Sequence, residues 1–529
     1  METFNEIPAL NAILARWQQL TAATTGWWLL WAGGLTLILG LLQLARTWWS
    51  LRHIPGPFLA SISNLPRVWW QITGRAHLYH QAAHAKYGDV VRIGPRMVSF
   101  SNPEAIPTVY PVRPGFPKGD LYSALRPYTS ERGPIYLVFN TQDESMHKLI
   151  KSPIAPLFSL SSVVQFEGLV DEVLAVLSKQ LDERFVATGE TFDCADWLHF
   201  FSFDVMGTLS FSKQYGALEQ GRDVNGMLSE VYRFFQLAAP MTQITWLDPI
   251  LYKNRLVHTL RKLQKKTPSM SILDFASRAI KERIAKEDNG KEDPNFPPRR
   301  KDFLDRFLEI HSQSSKLPPW ASTAWTFSNI IAGSDSVGTV MKTAVCEFVN
   351  LLSHPDSLEK LQRELDGANL TRPYPLWEQV RDLPYLDACI QEAARVHPPF
   401  ALPFERVTPR GGVTVLGHYL PEGTNVGGNA YVVNRHKGTF GPDVEVWRPE
   451  RWLEGDESHR KTLEKSLLTF GAGRRVCLGK QIGIVELKKL LPFLFVNYEL
   501  QLVEPLPFKW ENCFFSKHRG FTCRIKRRE

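Results

Sequence analysis

The sequence predicts a mainly α-helical protein with a smaller β-rich region, preceded by an N-terminal transmembrane helix. Three observations lead to this prediction. An uncharged apolar run lies near the N-terminus, and apolar residues then recur at helical spacing over most of the chain. After residue 400, apolar residues alternate between glycines and prolines, as in short strands. With 529 residues and 44% hydrophobic content, the chain can bury a large core.

The first predicted element is a membrane anchor. Residues 17–45 carry no charged side chain, and GWWLLWAGGLTLILGLLQL (residues 26–44) matches the ~20 apolar residues that cross a bilayer as a helix. A cleaved signal peptide is the alternative, but its apolar region is usually ~7–15 residues long and follows a basic start. One arginine precedes the run and four follow it, which places the globular part in the cytosol.

The next segment separates this anchor from the globular part. HIPGPF (residues 53–58) contains two prolines and should be stiff and non-helical. We therefore predict a short leader at 1–25, a transmembrane anchor at 26–45, a linker and proline hinge at 46–58, and one globular domain at 59–529. A cytosolic domain would keep the sequon at Asn369 away from glycosylation enzymes.

Composition excludes several classes of protein. The six cysteines form no CxxC pair, which argues against a disulfide framework or a zinc knuckle and favours a reducing compartment. The net charge of +8 is spread along the chain, so it suits an acidic partner or an anionic membrane better than nucleic acid. The polar stretch at 286–302 is predicted to be a solvated loop.

A long core helix is predicted over residues 325–354, where apolar residues occupy nearly every face. Gly333, Ser334, Asp335 and Ser336 interrupt it, and such side chains compete with a helix for backbone hydrogen bonds. Taken alone, this segment is compatible with a mildly kinked surface turn.

Downstream, YLDACIQEAARVHPP (residues 385–399) is predicted to be a helix that ends at a proline pair. Glu392 and Arg395 share one face of it, a spacing that is common on helix surfaces and carries little functional information by itself. Short hairpin strands are predicted over 411–433, followed by an irregular segment at 440–452.

Near the C-terminus, FGAGRRVCLGK (residues 470–480) places Cys477 among three glycines at the start of a predicted helix. Glycines permit sharp turns, and a helix N-terminus favours the thiolate. A buried structural cysteine is the ordinary alternative. If a metal binds here, zinc would lack further protein ligands, whereas heme iron needs only one axial ligand from the protein.

FGAGRRVCLG resembles the heme-binding loop of the cytochromes P450, the heme-thiolate monooxygenases. It matches that loop at Phe470, Gly473, Arg475, Cys477 and Gly479. Four other segments resemble motifs of this family and occur in the family's order. IPGP (54–57) resembles the hinge, and AGSDS (332–336) resembles the oxygen-activation motif. EAAR (392–395) resembles the glutamate–arginine motif, and RPERW (448–452) resembles a downstream arginine segment.

The resemblance implies a cytochrome P450 fold with heme b (iron protoporphyrin IX), in which Cys477 is the axial ligand of the iron. It implies that Asp335 and Ser336 deliver protons during oxygen activation; serine stands where threonine is commoner. It also implies a structural triad of Glu392, Arg395 and Arg451.

Heme contacts are likewise implied by the family's positions. Phe470 would shield the sulfur, and Arg475 and Arg406 would bind the heme carboxylates. Where the family often has tryptophan and arginine four residues apart, this chain has His147 and Lys151, both of which can donate to a carboxylate. Lysine lacks the planar guanidinium group with which arginine can donate two parallel hydrogen bonds to a carboxylate.

The resemblance further implies a hydrophobic small-molecule substrate. The chain is similar to fungal microsomal monooxygenases of secondary metabolism, including the pisatin demethylase-like group. That similarity implies a single-pass protein of the endoplasmic reticulum. Residues expected to face the substrate are 120–139, 329–332, 400–404 and 513–515, which are mostly apolar or aromatic.

Electrons would come from a separate NADPH-cytochrome reductase, with cytochrome b5 as a second candidate donor. Basic residues around the heme loop (Arg474, Lys480 and Lys148) would attract it. Two other functions compete with the monooxygenase: a heme-thiolate isomerase or dehydratase that needs no oxygen, and a non-catalytic heme sensor. Neither has an evident use for the Asp335–Ser336 pair.

Overall fold

The computed structural model of the chain describes residues 8–113, 115–129, 133–263, 271–288, 301–349, 355–503 and 509–529. The chain divides into two compact units, Met1–Ile54 and Pro55–Glu529. Within the described residues the second unit is mainly helical with small β-sheets, as the sequence predicts.

Helices occur along the whole chain. The N-terminal half contains α1 (Pro8–Ser50), α2 (Phe58–Ile62), α3 (Leu65–Ile72), α4 (Ala76–Tyr87), α5 (Ile106–Val109), α6 (Leu121–Ala124), α7 (Glu144–Lys151), α8 (Leu160–Val163), α9 (Glu167–Leu181), α10 (Cys194–Phe211), α11 (Ala217–Gln220), α12 (Met227–Met241), α13 (Asp248–Leu251) and α14 (Arg255–Leu263). The C-terminal half contains α15 (Ser271–Asp288), α16 (Phe303–Ser312), α17 (Ala321–Val349), α18 (Pro355–Gly367), α19 (Trp377–Val380), α20 (Pro384–Val396), α21 (Ala430–Val433), α22 (Lys437–Phe440), α23 (Glu457–Ser466) and α24 (Lys480–Asn497).

The strands form small sheets. They are β1 (Val90–Gly94), β2 (Met97–Phe100), β3 (Tyr128–Thr129), β4 (Gly133–Pro134), β5 (Phe192–Asp193), β6 (Arg406–Val407), β7 (Val413–Val415), β8 (His418–Leu420), β9 (Asn425–Gly428), β10 (Tyr498–Leu502), β11 (Lys509–Cys513), β12 (Phe515–Arg519) and β13 (Thr522–Arg527). One sheet has the order β1-β2-β9-β6, and its β2–β9 pair is parallel. A second sheet has the order β10-β13-β5, and β3–β4, β7–β8 and β11–β12 are separate antiparallel pairs.

Helix α17 runs through the core and packs most extensively on α10. Glycines make this close approach possible. A Cβ at Gly333 would overlap the Met206 side chain of α10, and a Cβ at Gly338 would lie 2.9 Å from Ser202 Oγ. The glycine that weakens helix propensity in the AGSDS segment therefore contributes to packing between the two helices.

Helix α17 remains a continuous helix through this segment, so the interruption expected there does not break it. Ser334 and Ser336 donate their hydroxyl protons to the carbonyls of Ile330 and Ala332, four residues earlier, so both hydroxyls have partners within the helix itself. The helix begins at Ala321, four residues before the predicted start. The predicted last residues, 350–354, lie outside the described part of the chain.

Other predicted elements agree in part with the structure. Helix α20 ends at Val396, just before the proline pair, and β7 and β8 form a hairpin within 411–433. The prediction of strands up to residue 433 is wrong at its end, because Ala430–Val433 is a helical turn in which Asn429 Oδ1 accepts from Tyr431 N. The predicted loop at 286–302 begins later, since α15 continues to Asp288; residues 289–300 of it are not described.

In the N-terminal unit, the described side chains at positions 31–46 of α1 are exposed, including several leucines. In the part of the chain that the structure describes, no helix combines the length and apolar character needed to cross a membrane. The anchor predicted at 26–45 stays a prediction, as do the domain boundaries that depend on it.

Candidate active site

Cys477 lies in the short loop between a 3-10 turn (Gly473–Arg475) and α24. Its N–H donates to the Phe470 carbonyl at 2.8 Å, which closes the loop. Gly471 and Gly473 have φ values of 65° and 61°, a region that favours glycine. A Cβ on Gly473 would overlap the carbonyl oxygen of Tyr110. Gly479 has a φ of −85°, so backbone conformation requires glycine at only two of the three predicted positions.

Cys477 is an exposed residue, although neighbouring protein atoms desolvate its thiol. Burial raises the pKa of its thiol, while the N–H groups of Gly479 and Lys480 and the charge of Lys151 act in the opposite direction. The predicted thiolate at the helix start is therefore not produced by the helix alone. A metal ion that coordinates a thiol deprotonates it, so this environment suits a metal ligand.

Basic side chains gather beside this loop. Arg475 is almost buried and binds the Glu144 carboxylate with its Nε at 3.0 Å. Lys151 Nζ donates to the Arg474 carbonyl at 3.0 Å. Burial, together with the charges of Arg475 and Lys151, lowers the pKa of His147 to about 2. His147 is consequently neutral at physiological pH.

Arg406, the remaining predicted heme contact, reaches the same place from β6. Its guanidinium lies 3.4 Å from Tyr122 Oη and 4.9 Å from the centre of the Tyr110 ring. The charge of Arg406 acts on both Arg475 and Lys118. The structure thus brings together the four predicted heme-carboxylate contacts, which the sequence separates by more than three hundred positions.

Lys118 belongs to this basic cluster and was missed by sequence reasoning, and Tyr122, which lies in the predicted substrate-facing segment 120–139, packs against it. Lys118 is buried, its Nζ lies 4.1 Å from the centre of the Tyr122 ring, and it donates to the Phe139 carbonyl. Burial lowers the Lys118 pKa well below its usual value, and the nearby arginines lower it further. Neither residue belongs to a motif. In the structure, Lys118 forms an isolated β-bridge with Arg406, and this backbone pairing brings Lys118 to the basic cluster.

This basic cluster (Lys118, His147, Lys151, Arg406 and Arg475) fits the carboxylates of heme. It concentrates positive charge around the Glu144 carboxylate. His147 Nδ1 and Arg475 Nη1 are buried, and neither has a hydrogen-bond partner among the residues that the structure describes. Buried donors normally have partners, and two carboxylate groups would supply both the partners and the missing charge. Heme b requires an axial ligand for its iron and partners for its carboxylates. An accessible cysteine beside such a cluster provides both.

Asp335 and Ser336 lie on α17 and point to different neighbours. Ser336 Oγ donates to the Ala332 carbonyl at 2.5 Å. An Asp335 oxygen lies 3.1 Å from Nε2 of His199 in α10, and both side chains are largely enclosed. Sequence reasoning missed His199, which lies in no motif; only the packing of α10 on α17 brings it to Asp335.

The predicted triad forms a buried network. Arg395 Nε donates to Glu392 Oε2 at 2.9 Å, and Arg451 Nε donates to Oε1 at 3.1 Å. Trp452 Nε1 also donates to Oε2, at 2.9 Å. Burial acts to raise the pKa of Glu392, but the two arginines outweigh it and the pKa falls below its usual value. The network ties α20 to the segment before α23, away from any surface.

Phenylalanines from separate segments meet next to the basic cluster. We define the phenylalanine box as Phe139, Phe235, Phe400, Phe404, Phe514 and Phe515. Neighbouring ring centres within it are 4.3–6.2 Å apart. It includes members of three predicted substrate-facing segments. Asn329, from the fourth, instead donates to Ser210 of α10, and residues 130–132 are not described.

Comparison with known proteins decides the family. The cytochrome P450 family model matches residues 55–520. The chain belongs to the cytochrome P450 family. Its motifs and the geometry around Cys477 agree with this assignment, and the family implies that the chain binds heme.

Fungal relatives align over nearly the whole chain. It is 58% identical to cytochrome P450 monooxygenase mfmA of Annulohypoxylon moriforme, covering 92% of this chain and 94% of that protein. It is 52% identical to cytochrome P450 monooxygenase pkfB of Emericella nidulans, covering 93% and 95%. It is also 49% identical to cytochrome P450 monooxygenase mpaDE of Penicillium brevicompactum, covering 94% of this chain but 58% of that longer protein.

These comparisons confirm the prediction of a monooxygenase. A P450 monooxygenase requires an electron donor and a small-molecule substrate. Thiolate-ligated heme supplies the oxygen chemistry, because the electron-rich sulfur favours cleavage of the O–O bond.

Proposed function

We propose that this cytochrome P450 oxidises an apolar, ring-containing small molecule of fungal secondary metabolism, such as the substrates expected for the pisatin demethylase-like group. The observation that carries this proposal is the phenylalanine box. Phe514 forms the tip of the β11–β12 hairpin with a φ of 87°, which is unusual for a bulky side chain, and its ring stacks on Phe235 at 4.3 Å. Backbone strain of this kind is often retained at functional sites.

The box borders the basic cluster through Phe139. The Phe139 ring lies 5.3 Å from that of Tyr122 and 4.4 Å from Lys118 Nζ. A substrate against the exposed part of Phe139 would therefore lie beside the heme carboxylate contacts. Flat apolar rings suit such a surface, because aromatic pairs gain from edge and offset contacts as well as from burial.

In this proposal Cys477 is the axial ligand, and Phe470 packs beside it. The basic cluster holds the heme carboxylates, with Arg475 and Arg406 as the charged partners and His147 as a neutral donor. The Arg475–Glu144 ion pair fixes the guanidinium, so that Nη1 remains available for a carboxylate.

Asp335 and Ser336 form the proton-handling pair in this proposal. Oxygen insertion reduces the second oxygen atom to water, which consumes protons. A carboxylate beside a hydroxyl can pass protons through ordered water. The enclosure of Asp335 and the position of Ser336 one residue later on α17 support this role.

The electron donor is proposed to be an NADPH-cytochrome reductase with an acidic docking face. Lys148 and Lys480 are exposed, and Arg474 is partly exposed beside Glu144. Long-range attraction between exposed charges is screened by salt. Reduction should therefore slow as ionic strength rises, and the Lys148→Glu plus Lys480→Glu variant should be slower at low salt. A rate that is insensitive to both would reject this docking face.

We also propose attachment to the endoplasmic reticulum membrane with the catalytic domain in the cytosol. The uncharged run at 17–45 and the exposed leucines of α1 support this. In the second unit, Phe58, Leu65 and Trp69 of α2 and α3 are each at least 60% exposed, an apolar surface that suits lipid. Alkaline carbonate extraction of microsomes distinguishes a spanning segment, which stays with the membrane, from surface attachment, which is released. Recovery of the protein in the soluble fraction before extraction would reject membrane attachment.

The experiment for the substrate class uses purified enzyme, reductase and NADPH with extracts of a strain deleted for the gene. The expected product is one oxygen atom heavier than an apolar ring-containing metabolite and forms only with NADPH. The Phe514→Ala variant should change the ratio of products, whereas His459→Gln, an exposed substitution on α23, should not. Turnover without NADPH or oxygen would favour the isomerase or dehydratase hypothesis, and binding without turnover would favour the sensor.

A further inference from the structure

Helices α10 and α17 are joined beside the AGSDS segment by direct polar contacts. Ser202 Oγ of α10 donates to the Ser334 carbonyl of α17 at 2.9 Å, and both groups are buried. Gly338 lets α10 come close enough for this bond, since a Cβ there would crowd Ser202. The backbone on either side of Asp335 is therefore held at a fixed distance from α10.

His199 lies one helical turn before Ser202 and faces the same gap. Its Nε2 is 3.1 Å from Asp335 Oδ1, and the two side chains are 13% and 16% exposed. Nε2 is buried but is not aligned for a hydrogen bond with any residue that the structure describes. A small rotation of either side chain would align them, so the pair is close enough for proton exchange.

Further ionisable groups on α10, α17 and β12 act electrostatically on this pair. Lys342, two turns after Asp335 on α17, is buried, and burial lowers its pKa to about 8 although Asp335 and Asp196 raise it. Asp196 is exposed in the first turn of α10, and Lys517 of β12 acts on both His199 and Lys342. The charges of these residues, from exposed Asp196 to enclosed Asp335, thus act along the same interface, and the His199–Asp335 contact lies at its enclosed end.

We propose that protons reach Asp335 along this α10–α17 interface and that His199 is the residue that hands them over. His199 would not contact the substrate or the heme; it would act only through Asp335, and we therefore call it a positioning residue. The inference rests on the proposed role of Asp335 in proton handling.

The transfer is balanced in protons and charge. After Asp335 has passed on its proton, the His199 Nε2–H bond breaks and an Oδ1–H bond forms on the carboxylate. In the same step the imidazole takes one proton at Nδ1 from a hydronium ion of the solvent, which leaves as water, so the ring remains neutral and the carboxylate charge is cancelled. Before the next transfer the ring loses the Nδ1 proton to water and regains a proton at Nε2, which restores the starting tautomer. Burial, followed by the charge of Lys342, lowers the pKa of His199, and Asp335 raises it in part. A ring that is neutral at rest suits this exchange.

The test compares His199→Gln and His199→Ala with the wild-type holoenzyme, using reductase and a turned-over substrate. Neither replacement can exchange protons, so product formed per NADPH should fall at least about threefold, less than the loss expected for the direct acid–base group. The solvent deuterium isotope effect on turnover should rise, because proton supply becomes limiting. KM should stay unchanged, and His459→Gln is the matched surface control.

A structural role alone would lower the unfolding temperature without raising the isotope effect. Wild-type coupling and isotope effect in both variants would overturn the inference. If Asp335→Asn also turned over like the wild type, the proposed role of Asp335 would fail as well; if Asp335→Asn alone lost coupling, only the role of His199 would fail.

A second measurement does not depend on turnover or on the stability of the His199 variants. In protein with 13C-labelled histidine, reduced and bound to carbon monoxide, the His199 resonance can be assigned by its loss in His199→Gln. Its midpoint should move to lower pH in Asp335→Asn, since the negative charge that raises the His199 pKa is removed. An unchanged midpoint would show that the two side chains do not interact and would reject the route.

Discussion

At the residue scale, Asp335 and Ser336 are adjacent on one helix but make different contacts. Asp335 faces α10 and Ser336 bonds to its own helix. This difference predicts different consequences when each is changed. In the proposed function both side chains handle protons, but only the carboxylate contacts α10, whereas the hydroxyl is bonded to the Ala332 carbonyl.

The first prediction concerns these two residues. Asp335→Asn keeps the size of the side chain but removes its acid function, so turnover should fall by roughly 10²–10⁴-fold. Ser336→Ala should keep NADPH consumption while product falls and hydrogen peroxide accumulates, and Ser336→Thr should restore coupling. Measuring NADPH consumption, hydrogen peroxide and product in the same assay for each variant tests this prediction. Unchanged coupling in both Asp335→Asn and Ser336→Ala would remove the pair from the reaction.

The sequence could predict residues that lie in motifs, because a motif places the required atoms within a few positions. Cys477 and the triad residues are of this kind, and the structure shows Glu392, Arg395 and Arg451 in contact. Lys118 and His199 are not, since tertiary packing alone brings each to its neighbours. A lysine or histidine without a motif resembles any other polar residue in a sequence.

At the element scale, the packing of α10 on α17 sets the geometry of the site. The AGSDS glycine weakens helix propensity, and yet it permits a close contact between the two helices. The end of α20 at Val396 could be predicted, because a proline pair follows it. The start of the helical turn at Ala430 depends on a local cap that the sequence pattern does not signal. Apolar residues between glycines and prolines make the segment 411–433 resemble strands in sequence, whereas the Asn429 cap makes Ala430–Val433 helical.

The second prediction tests this contact. Gly333→Ala adds a methyl group that overlaps Met206, so the free energy of unfolding should fall by about 1–3 kcal/mol, as is usual for overpacking. Met206→Ala alone leaves a cavity and should also destabilise. The double variant should be more stable than the sum of the two losses predicts, because the added methyl fills part of that cavity. Denaturant unfolding of all four proteins measures the coupling; strict additivity would contradict the contact.

At the scale of the whole molecule, several histidines are buried in neutral form, among them His77, His80, His84 and His147. Each has a pKa below its usual value mainly because burial disfavours the charged ring. The unfolded chain therefore binds more protons than the folded one at mildly acidic pH. Stability must fall as the pH decreases below about 6.5.

His84 gives the third prediction. Burial lowers its pKa to about 4, while both ring nitrogens contact oxygen atoms, those of Gly88 and Ser99. Its contribution is present above pH 6.5 and is lost as the pH falls towards 4, at roughly 1.4 kcal/mol per unit of pKa difference. His84→Gln cannot titrate, so it should lose less stability than the wild type between pH 7 and pH 4.5. Equal losses in unfolding experiments would mean that His84 protonates without penalty in the folded protein.

The central claim is that Cys477 is the axial heme ligand of this cytochrome P450. The most direct measurement is the absorption spectrum of the reduced protein under carbon monoxide. The wild type and a Cys513→Ala control should show the strongly red-shifted Soret band of thiolate ligation, and Cys477→Ala should lack it at any heme content. A Cys477→Ala protein that retained the red-shifted band would contradict the assignment.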